Sequence, residues 1–404
     1  MNVKNDSHGG ILILAFSALN KDPRVLREIK ALKEICAVTA AGFSDPEISG
    51  VEFIQLEPRV PSSYLQRLAS KVSIVWRFGT HRYLQYYWGQ PCIQAARKKL
   101  ERNHFDLVVA NDIETLPLAL EVAGDAPVLF DAHEYAPLQY EHSPKIRALD
   151  APYKYFLCRQ FIPKTAAFIT VAAGIAEQYR MDTGVAAQVI TNAPEYVDNK
   201  PRWVPDNSSS IELVHHGVAI RGRRLELLIG MMKHLDPRYR LTLMLVPSDV
   251  SYFRELKKRA AGHQIFFRDP VPFGQIIPTL TSYDVGLSVI YPGTFNYRHC
   301  LPNKFFEFVQ ARLAVVAGPS PEMAPIINQY RLGVVAQDFT SKSLAAAVVS
   351  LTIPDINEHK LNSDSAAREL SAECNLRLLQ DIARRLLERR KRNSGDYKSI
   401  APGR

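Results

Sequence analysis

Residues 11–34, ILILAFSALNKDPRVLREIKALKE, decide the fold of this chain. Ile11–Phe16 is apolar on both of the faces that a strand presents, which is typical of a parallel sheet covered by helices on each side. After a polar loop, Asp22 and Pro23 are suited to cap and start a helix, because aspartate accepts backbone N–H bonds and proline fits the first turn. That helix has an apolar stripe formed by Val25, Leu26, Ile29 and Leu32. The stretch therefore predicts the start of a doubly wound α/β domain.

Similar apolar runs recur along the chain, separated by segments of helix length. In the first half they are Cys36–Ala41, Val51–Leu56, Asp106–Ala110, Pro127–Asp131, Ala167–Val171 and Gln188–Thr191. A polar stretch without periodicity, residues 195–210, then predicts a linker. The alternation restarts with Ile211–His215, Arg240–Leu245, Gln264–Arg268, Asp284–Ile290, Leu313–Ala317 and Gly333–Ala336. This pattern predicts two Rossmann-like doubly wound domains that face a ligand cleft at the carboxyl ends of their strands.

The last part of the chain is an Arg-rich segment with helical periodicity, from Ser363 to about Lys391. Its apolar stripe is formed by Leu370, Leu376, Leu379, Ile382, Leu386 and Leu387. We therefore expect an N-terminal domain over residues 1–200, a C-terminal domain over 201–362, and a basic helix with a tail over 363–404 that could cross back to the N-terminal domain.

The composition, 404 residues with 47% hydrophobic and 23% charged, is that of an ordinary globular protein and excludes a disordered or fibrous chain. The five cysteines lie far apart and form no C-x-x-C pair, which excludes a disulfide framework and a zinc ribbon. No apolar run approaches the ~18 residues of a membrane-spanning helix, and the first residues show no secretory leader. We expect a cytoplasmic protein that does not cross a membrane.

Basic charge is concentrated in two places. Residues 59–103 contain nine lysines and arginines against one glutamate, and residues 375–404 contain nine against three acids. In the first stretch, apolar residues at helical spacing lie beside a cluster of aromatic ones. Cationic, aromatic amphipathic helices settle among anionic lipid headgroups, so we expect reversible binding at the inner face of the membrane. The alternative is a helix packed on its own domain at the acceptor cleft.

Residues suited to chemistry follow two strands of the N-terminal domain. Arg24 and its helix N-terminus could face an anion, although a capping role of Asp22 alone would explain this loop. Asp131, His133 and Glu134 end the fifth strand, where α/β sheets place catalytic groups. His133 could exchange protons near neutral pH, and a structural role is the alternative. A His-Glu pair without a second histidine four residues on does not indicate zinc.

Residues 215–224, HHGVAIRGRR, are a candidate phosphate site at the start of the C-terminal domain. They follow a strand, precede a helix, and contain Gly217, Arg221, Arg223 and Arg224. Glycine lets a backbone approach a ligand, and arginine binds phosphate oxygens with two parallel donors. Cations are disfavoured at the positive end of a helix, so these arginines favour a functional explanation.

Residues 301–307, LPNKFFE, are the second candidate site of that domain. Asn303 could cap a helix, Lys304 could bind a phosphate, and Glu307, one turn further on, could bind a pair of hydroxyls. An internal salt bridge between Lys304 and Glu307 is the alternative.

These segments, in this order, resemble glycosyltransferase family 4, the retaining GT-B class that transfers a sugar from a nucleotide diphosphate donor. The resemblance runs over nearly the whole chain and includes the opening stretch, FDLVVANDIETLPLAL, VLFDAHEY, FITVAAGIAEQY, VITNAPEY, VHHGVAIRGRRLELLI, IPTLTSYDVGLSVI and LPNKFFEFVQARLAVVAG. It implies a GT-B fold with the acceptor in the N-terminal domain and the donor in the C-terminal one.

The resemblance also implies roles for individual residues. Arg223 stands where the family usually has a diphosphate-binding lysine. Glu307 matches the second acid of the family's E-x7-E motif, which binds the donor ribose, and His133 resembles the histidine near the transferred sugar. The chain departs from the family at His299, which replaces the first acid of that motif, and at Val218, which replaces a common arginine.

Residues and resemblance together predict a metal-independent glycosyltransferase that acts with retention on a hydroxyl of a glycan or lipid-linked acceptor in cell-surface polysaccharide biosynthesis. No D-x-D pair is present, so basic side chains must neutralise the leaving diphosphate, and no cofactor is expected. The alternatives are a nucleotide-sugar epimerase of the same fold and a non-catalytic or nucleic-acid-binding protein that uses the basic segments. No nucleic-acid motif occurs, so nucleic acid is not an expected partner.

Overall fold

The computed structural model of the chain describes residues 9–58, 82–101 and 103–396. Residues 59–81, which hold most of the predicted amphipathic membrane-binding segment, lie outside the described residues, as do residues 397–404. Within the described ranges, no helix combines the length and the apolar character that a membrane span requires.

The chain divides into two compact units, each with one parallel sheet. The first contains the chain through Val171, Ile175–Ile190 and the chain from Leu376, and the second contains Ala172–Gly174 and Thr191–Asn375. Helices flank both sheets, so the predicted α/β fold class with two doubly wound domains is confirmed.

The first sheet has the strand order β3-β2-β1-β4-β5-β6-β7, with all pairs parallel. Its strands are β1 Ile11–Ala15, β2 Val38–Gly42, β3 Glu52–Gln55, β4 Leu107–Asn111, β5 Val128–Ala132, β6 Ala167–Thr170 and β7 Gln188–Val189. The α-helices described between them are Pro23–Lys33, Tyr83–Trp88, Pro91–Leu100, Leu116–Ala123, Pro144–Phe161 and Ala173–Thr183. The residues Ile11 to Leu14 of β1 are fully buried, which explains why this run is apolar on both faces.

The second sheet has the order β10-β9-β8-β11-β12-β13 and is also parallel. Its strands are β8 Ile211–Val218, β9 Tyr239–Val246, β10 Ile265–Arg268, β11 Val285–Ser288, β12 Ala314–Ala317 and β13 Gly333–Val335. Its α-helices are Glu226–Met232, Val250–Ala260, Ile276–Leu280, Phe295–Arg298, Asn303–Gln310, Met323–Tyr330, Ser341–Val349 and Ile353–Ala366. Every apolar run identified in the sequence overlaps one strand.

The predicted linker is ordered against the second unit. Asn357 Oδ1 accepts from the backbone N–H of Val204, and its Nδ2 donates to the Val204 carbonyl, both at 2.9 Å. Arg202 pairs with Asp284 of the same unit. Contacts with this unit begin before residue 200, since the backbone N–H of Val197 donates to Gln310 Oε1 at 3.1 Å and the Val197 carbonyl accepts from Arg312 Nη2 at 2.9 Å. The division accordingly falls after Ile190, whereas the predicted border lies at residue 200.

The single terminal helix predicted from Ser363 to about Lys391 is wrong, because two helices occupy this region. Ile353–Ala366 ends before Ala372–Asp396 begins. Ser363 belongs to the second unit, where its Oγ donates to the Leu313 carbonyl at 2.8 Å. The stripe of the last helix lies in the hydrophobic core of the first unit and consists of Leu379, Ile382, Ala383 and Leu386. Leu376 and Leu387 of the predicted stripe also pack against this core, whereas Ile356 of the preceding helix lies in the core of the second unit.

Candidate functional site

Both sheets reverse their strand order beside their first strand, and polar side chains collect there. β1 lies between β2 and β4, and β8 lies between β9 and β11. At such switch points the carboxyl ends of the strands leave a crevice for a ligand. The first-unit cluster consists of Arg24, Glu28, Asn111, Asp112, Asp131 and His133. The second-unit cluster consists of His215, Gly217, Arg223 and Lys304.

Arg24 binds a carboxylate of the protein itself and does not face a ligand anion as predicted. Its Nε and Nη2 donate to the two carboxylate oxygens of Asp131 at 2.6 and 2.7 Å, and its Nη1 donates to the Ile190 carbonyl at 3.0 Å. Both side chains are buried. Burial alone would raise the pKa of Asp131, but the Arg24 guanidinium holds it well below its usual range. Asp131 is therefore a permanently charged positioning group and does not carry protons.

His133 lies among oxygens that keep its ring charged. Its Nε2 is 2.9 Å from Asn111 Oδ1 and 3.5 Å from Asp131 Oδ2, and its Nδ1 is 3.6 Å from Asp112 Oδ2. Burial favours the neutral ring, but Asp112 and Asp131 outweigh it and raise the pKa of His133 to about 10. The structure thus favours an imidazolium at neutral pH, in contrast to the proton exchange predicted there. Such a ring donates hydrogen bonds and is a poor base.

Glu28 completes the polar group behind Asp131. It is 3% exposed, neither of its carboxyl oxygens has a hydrogen-bond partner, and Arg24 Nε lies 3.9 Å away. Burial, and after it Asp131, raise the pKa of Glu28 well above its usual range, which favours the neutral carboxyl beside the charged Asp131.

The same residues are the described group whose ligand atoms come closest to a metal-binding set. Glu28, Asp131 and His133 each bring one such atom within 4.8 Å of the others. Arg24 already binds both Asp131 oxygens, and a protonated His133 has no lone pair for a metal. Asp131 is therefore arranged to bind the Arg24 guanidinium, and the group of Glu28, Asp131 and His133 is not suited to ligate a metal ion at that position.

Glu134 is the predicted catalytic residue that titrates near neutral pH. Burial, and after it Asp112, raise the pKa of Glu134 to about 7. Gln139 Nε2 donates to Glu134 Oε1, and Lys154 Nζ donates to Gln139 Oε1. Glu134 is therefore held in a side-chain network at the end of β5. Asp22, the remaining residue predicted here, accepts from the backbone N–H of Val25 at 3.3 Å and caps its helix.

In the second unit, Gly217, Arg223 and Lys304 come together at the end of β8. Gly217 has φ 133°, a conformation that other residues rarely adopt. A Cβ at this position would lie 3.3 Å from Arg223 Nη1 and 3.3 Å from Lys304 Nζ. Within the described residues neither cation has an ion pair with an acid, and Arg223 Nε is buried without a hydrogen-bond partner. Two cationic side chains thus lie over a backbone position, Gly217, that carries no side chain.

His215 orients Lys304. Its Nδ1 lies 2.7 Å from the Leu287 carbonyl and must donate to it, because a carbonyl oxygen only accepts. Nε2 is then an acceptor, and Lys304 Nζ donates to it at 3.1 Å. Burial, and after it Lys304, lower the pKa of His215 well below its usual range, so the ring stays neutral. Burial, and after it Arg223, lower the pKa of Lys304 to about 7. A bound anion would offset both the burial of the Lys304 ammonium and its repulsion from Arg223. This cluster is therefore suited to bind an anion.

Glu307 faces His216 and not Lys304. Its Oε2 lies 3.2 Å from His216 Nε2, although the two are not aligned for a hydrogen bond. The alternative salt bridge between Lys304 and Glu307 does not occur. Asn303 is the first residue inside its helix and Pro302 precedes it without a side-chain capping bond, so the capping role predicted for Asn303 is wrong.

The other two predicted arginines have acidic partners of their own. Arg221 pairs with Asp249 and Glu255 at 3.3 and 2.9 Å. Arg224 lies 3.5 Å from Glu226. Their charges are neutralised locally, so the structure separates them from the unpaired cations of the second-unit cluster.

His299, which replaces the first acid of the family motif, is itself paired with an acid. Its Nδ1 lies 2.9 Å from Glu322 Oε1, and the Glu322 side chain is 6% exposed. Glu322 follows β12, and no local sequence pattern links it to His299. The sequence therefore gave no reason to expect a carboxylate here.

Three residues of the two clusters were not among the predicted site residues, although the sequence contains a signal for each of them. His215 is a polar side chain within β8, and Asn111 is the polar last residue of the otherwise apolar β4. Glu28 lies on the buried side of an amphipathic helix. Asp112, by contrast, has φ 64°, a left-handed conformation that only the folded backbone reveals and that often marks functional sites.

Comparison with known proteins supports the fold. Residues 49–198 match the family model of Glycosyltransferase Family 4. No curated protein sequence matches the chain significantly. HepE from Anabaena, solved in complex with UDP and glucose, is 15% identical, with a TM-score of 0.65 over 93% of this chain and 99% of that one.

Two further solved structures are similar over almost their whole length. Sucrose-phosphate synthase from Thermosynechococcus elongatus is 13% identical, with a TM-score of 0.70 over 94% of this chain and 100% of that one. Trehalose 6-phosphate synthase from Burkholderia multivorans is 13% identical, with a TM-score of 0.63 over 98% and 100%. These neighbours are GT-B glycosyltransferases, and the resemblance and the GT-B fold inferred from the sequence are confirmed.

Proposed function

We propose that this protein is a glycosyltransferase that transfers a sugar from a nucleotide diphosphate donor to a hydroxyl acceptor. The observation that carries the proposal is the pair of cations, Arg223 and Lys304, that lies over Gly217 and for which the described ranges of the chain provide no acidic partner. The match of residues 49–198 to Glycosyltransferase Family 4 and the structural neighbours bound to UDP support the same chemistry.

The second-unit cluster would hold the donor diphosphate. Arg223 presents two parallel N–H donors to phosphate oxygens, and Lys304, oriented by neutral His215, adds a point charge. Charge develops on the leaving diphosphate as the bond to the sugar breaks, so preorganised cations in a buried site lower the barrier. The backbone at Gly217 lets the diphosphate approach closely. Glu307 would accept hydrogen bonds from the ribose hydroxyls, as the family resemblance implies.

The first-unit cluster would act on the acceptor side without a metal. His133, held charged by Asp112 and Asp131, would donate a hydrogen bond to a sugar oxygen. We assign no carboxylate as nucleophile, and propose displacement on one face of the sugar with retention. The bond from the sugar carbon to the diphosphate oxygen breaks as the bond to the acceptor oxygen forms. The proton of the acceptor hydroxyl passes to the departing diphosphate oxygen, which balances the reaction.

Release of free nucleotide diphosphate in the presence of an acceptor tests the proposed function. UDP-glucose is the first donor to use, followed by other sugar nucleotides, each with and without a panel of glycosides. We expect release of the nucleotide diphosphate that depends on the acceptor, and a product with the anomeric configuration of the donor by NMR. Conversion of the donor sugar without release would favour the epimerase. Tight, salt-sensitive RNA binding without any turnover would favour the nucleic-acid-binding alternative.

Binding of UDP-glucose is expected to weaken as the pH rises above about 7. The pKa of Lys304 is lowered to about 7, so free protein loses this charge above that pH, while bound diphosphate favours the charged form. The Kd should then rise by up to about tenfold per pH unit until the pKa of the complex is reached. The other groups that face Lys304 are His215, which accepts its hydrogen bond, and Arg223, Cys300 and Glu307. Titration calorimetry between about pH 6 and 9 measures this dependence.

Lys304→Arg is the matched control for this titration, because arginine keeps its charge throughout the range. We expect its Kd for UDP-glucose to be nearly independent of pH. A flat wild-type profile, or a Lys304→Arg profile that weakens in parallel with the wild type, would contradict the assignment of the titration to Lys304.

The finer parts of the function are proposals that rest on the sequence. They are a hexosyl-type donor, a role in cell-surface polysaccharide biosynthesis, and contact with anionic lipid through the basic stretch of residues 59–103. A lipid-linked acceptor presented at the inner membrane face would explain why a basic, aromatic segment precedes the acceptor-side residues.

A further inference from the structure

The first unit contains a cavity of about 390 Å³ beside His133, and its lining has a chemistry of its own. Ser17, Asn111 and His133 line it at the carboxyl ends of β1, β4 and β5, and Tyr86 and Tyr153 line it from two helices. Given the proposed function, on which this inference rests, the cavity is where an acceptor would bind. Its volume is near the lower end of the roughly 300–1,000 Å³ typical of small-molecule pockets, which suits a short sugar.

Aromatic rings form part of the wall. Tyr86 meets Tyr153 edge to face, with ring centroids 5.2 Å apart, and Phe16 stacks on Phe43 at 6.4 Å. Such rings present large, rigid apolar faces. The C–H face of a sugar ring packs on them, whereas a compact ion does not.

Carboxylates form the polar part of the wall. The side chains of Asp112, Glu114 and Asp150 are 48%, 41% and 37% exposed, respectively. Lys154 is buried behind the last two and holds them through its Nζ at 2.9 and 3.4 Å. These carboxylates are therefore fixed in place while their other lone pairs remain able to accept from hydroxyls.

Two hydrogen-bond donors also belong to the lining of the cavity. Asn111 lines the cavity and is 2% exposed, and no described residue forms a hydrogen bond with its Nδ2. His133 is the second donor. A hydroxyl both donates and accepts, so it can use both kinds of group, whereas a phosphate or carboxylate only accepts. An anionic acceptor would also face five carboxylates, against the charged His133 in the lining and Lys154 behind two of the carboxylates, with no lysine or arginine among the described residues of the lining.

We propose that this cavity binds the end of an uncharged, polyhydroxylated sugar as acceptor and rejects phosphorylated and acidic sugars. The chain would then differ in acceptor class from enzymes of the same fold that act on sugar phosphates.

Binding of matched neutral and phosphorylated sugars tests this without any donor. The probes are the methyl glycosides of glucose, galactose, mannose and N-acetylglucosamine, each compared with the corresponding 6-phosphate by saturation-transfer NMR and titration. We expect at least one methyl glycoside to bind, and its phosphorylated counterpart to bind at least about tenfold more weakly. A sugar phosphate that binds as well as its neutral counterpart, or no binding by any probe, overturns the proposal.

Asp150→Asn tests the charge of the wall. This substitution leaves Lys154 paired with Glu114, so the protein should still fold. Loss of one nearby negative charge should lower the ratio of the Kd of the phosphorylated sugar to that of the neutral sugar by about 3- to 10-fold. Glu177→Gln is the control, because this acid is exposed, paired with Arg180 and not part of the lining. It should leave the discrimination unchanged. An Asp150→Asn protein that folds and discriminates like the wild type counts against the proposal.

Failure of this inference is distinguishable from failure of the proposed function. If a neutral sugar binds but no sugar nucleotide binds or turns over, the proposed function fails and the cavity assignment stands. If UDP-glucose or another sugar nucleotide turns over and a sugar phosphate is the preferred acceptor, the cavity assignment alone fails.

Discussion

Replacement of both Arg223 and Lys304 with alanine is expected to abolish donor binding while the protein stays folded. Each substitution removes a charge-assisted contact with the donor diphosphate that is worth about 1.5–3 kcal/mol. The double variant should therefore bind UDP-glucose about 10²- to 10⁴-fold more weakly. Inorganic pyrophosphate should lose affinity in parallel, because the contacts address the diphosphate and not the base or the sugar. Calorimetry with both probes measures the loss.

The expectation that the double variant folds rests on the charges of Arg223 and Lys304, although Lys304 does donate a hydrogen bond to His215. Within the described residues neither forms an ion pair with an acid, so their removal leaves no carboxylate stranded. Urea unfolding should therefore show a midpoint close to that of the wild type. Arg221→Ala is the matched control, since this arginine is exposed and pairs with Asp249 and Glu255. Its affinity for UDP-glucose should stay within a few-fold of the wild type. Near-normal turnover of the double variant would refute the donor site.

The strands could be predicted because their signal is local. A run such as Ile11–Phe16 is apolar on both faces because the strand it forms is covered on both sides, and the same holds in the second unit. Arg223 and Lys304, which we propose to bind the donor, could be singled out in the sequence for a similar reason. Lysine and arginine near helix N-termini conflict with the helix dipole. Arg221 and Arg224 have acidic partners, whereas the described part of the chain supplies none for Arg223 and Lys304.

What the sequence could not predict depends on pairings between distant residues. Arg24 and Asp131 are 107 positions apart and meet only because β1, β4 and β5 are neighbours in the sheet. Without that pairing, Arg24 resembles an anion ligand and His133 a neutral-pH base. With it, Asp131 is an anion and His133 a cation. The break between the last two helices is also set by tertiary packing, because their apolar residues belong to different cores.

Replacement of Arg24 with methionine is expected to destabilise the first unit by about 3–5 kcal/mol, because it leaves the Asp131 charge buried without its partner. Hydrogen exchange of the β5 amides, residues 128–132, measures the loss within this unit. Arg24→Met combined with Asp131→Asn should recover much of the stability, since a neutral amide replaces the stranded charge. Arg180→Met, which breaks an exposed pair with Glu177, should cost less than about 1 kcal/mol. A loss of that small size for Arg24→Met, or no recovery in the double variant, would contradict the role of the pair.

The sign of the pH dependence distinguishes a lost ion pair from a simple packing defect. In the wild type, the folded-state pKa of Asp131 lies well below the value of about 3.9 of an unfolded aspartate. The stability contributed by the pair is therefore fully present above about pH 4 and is lost as the pH falls towards the folded-state pKa. Without Arg24, burial raises the pKa of Asp131. Protonation of Asp131 then removes the buried charge as the pH falls, which reduces the destabilisation of the Arg24→Met protein. The difference in unfolding free energy between wild type and Arg24→Met should thus be largest near neutral pH and narrow towards pH 4, whereas a cavity alone would leave it constant.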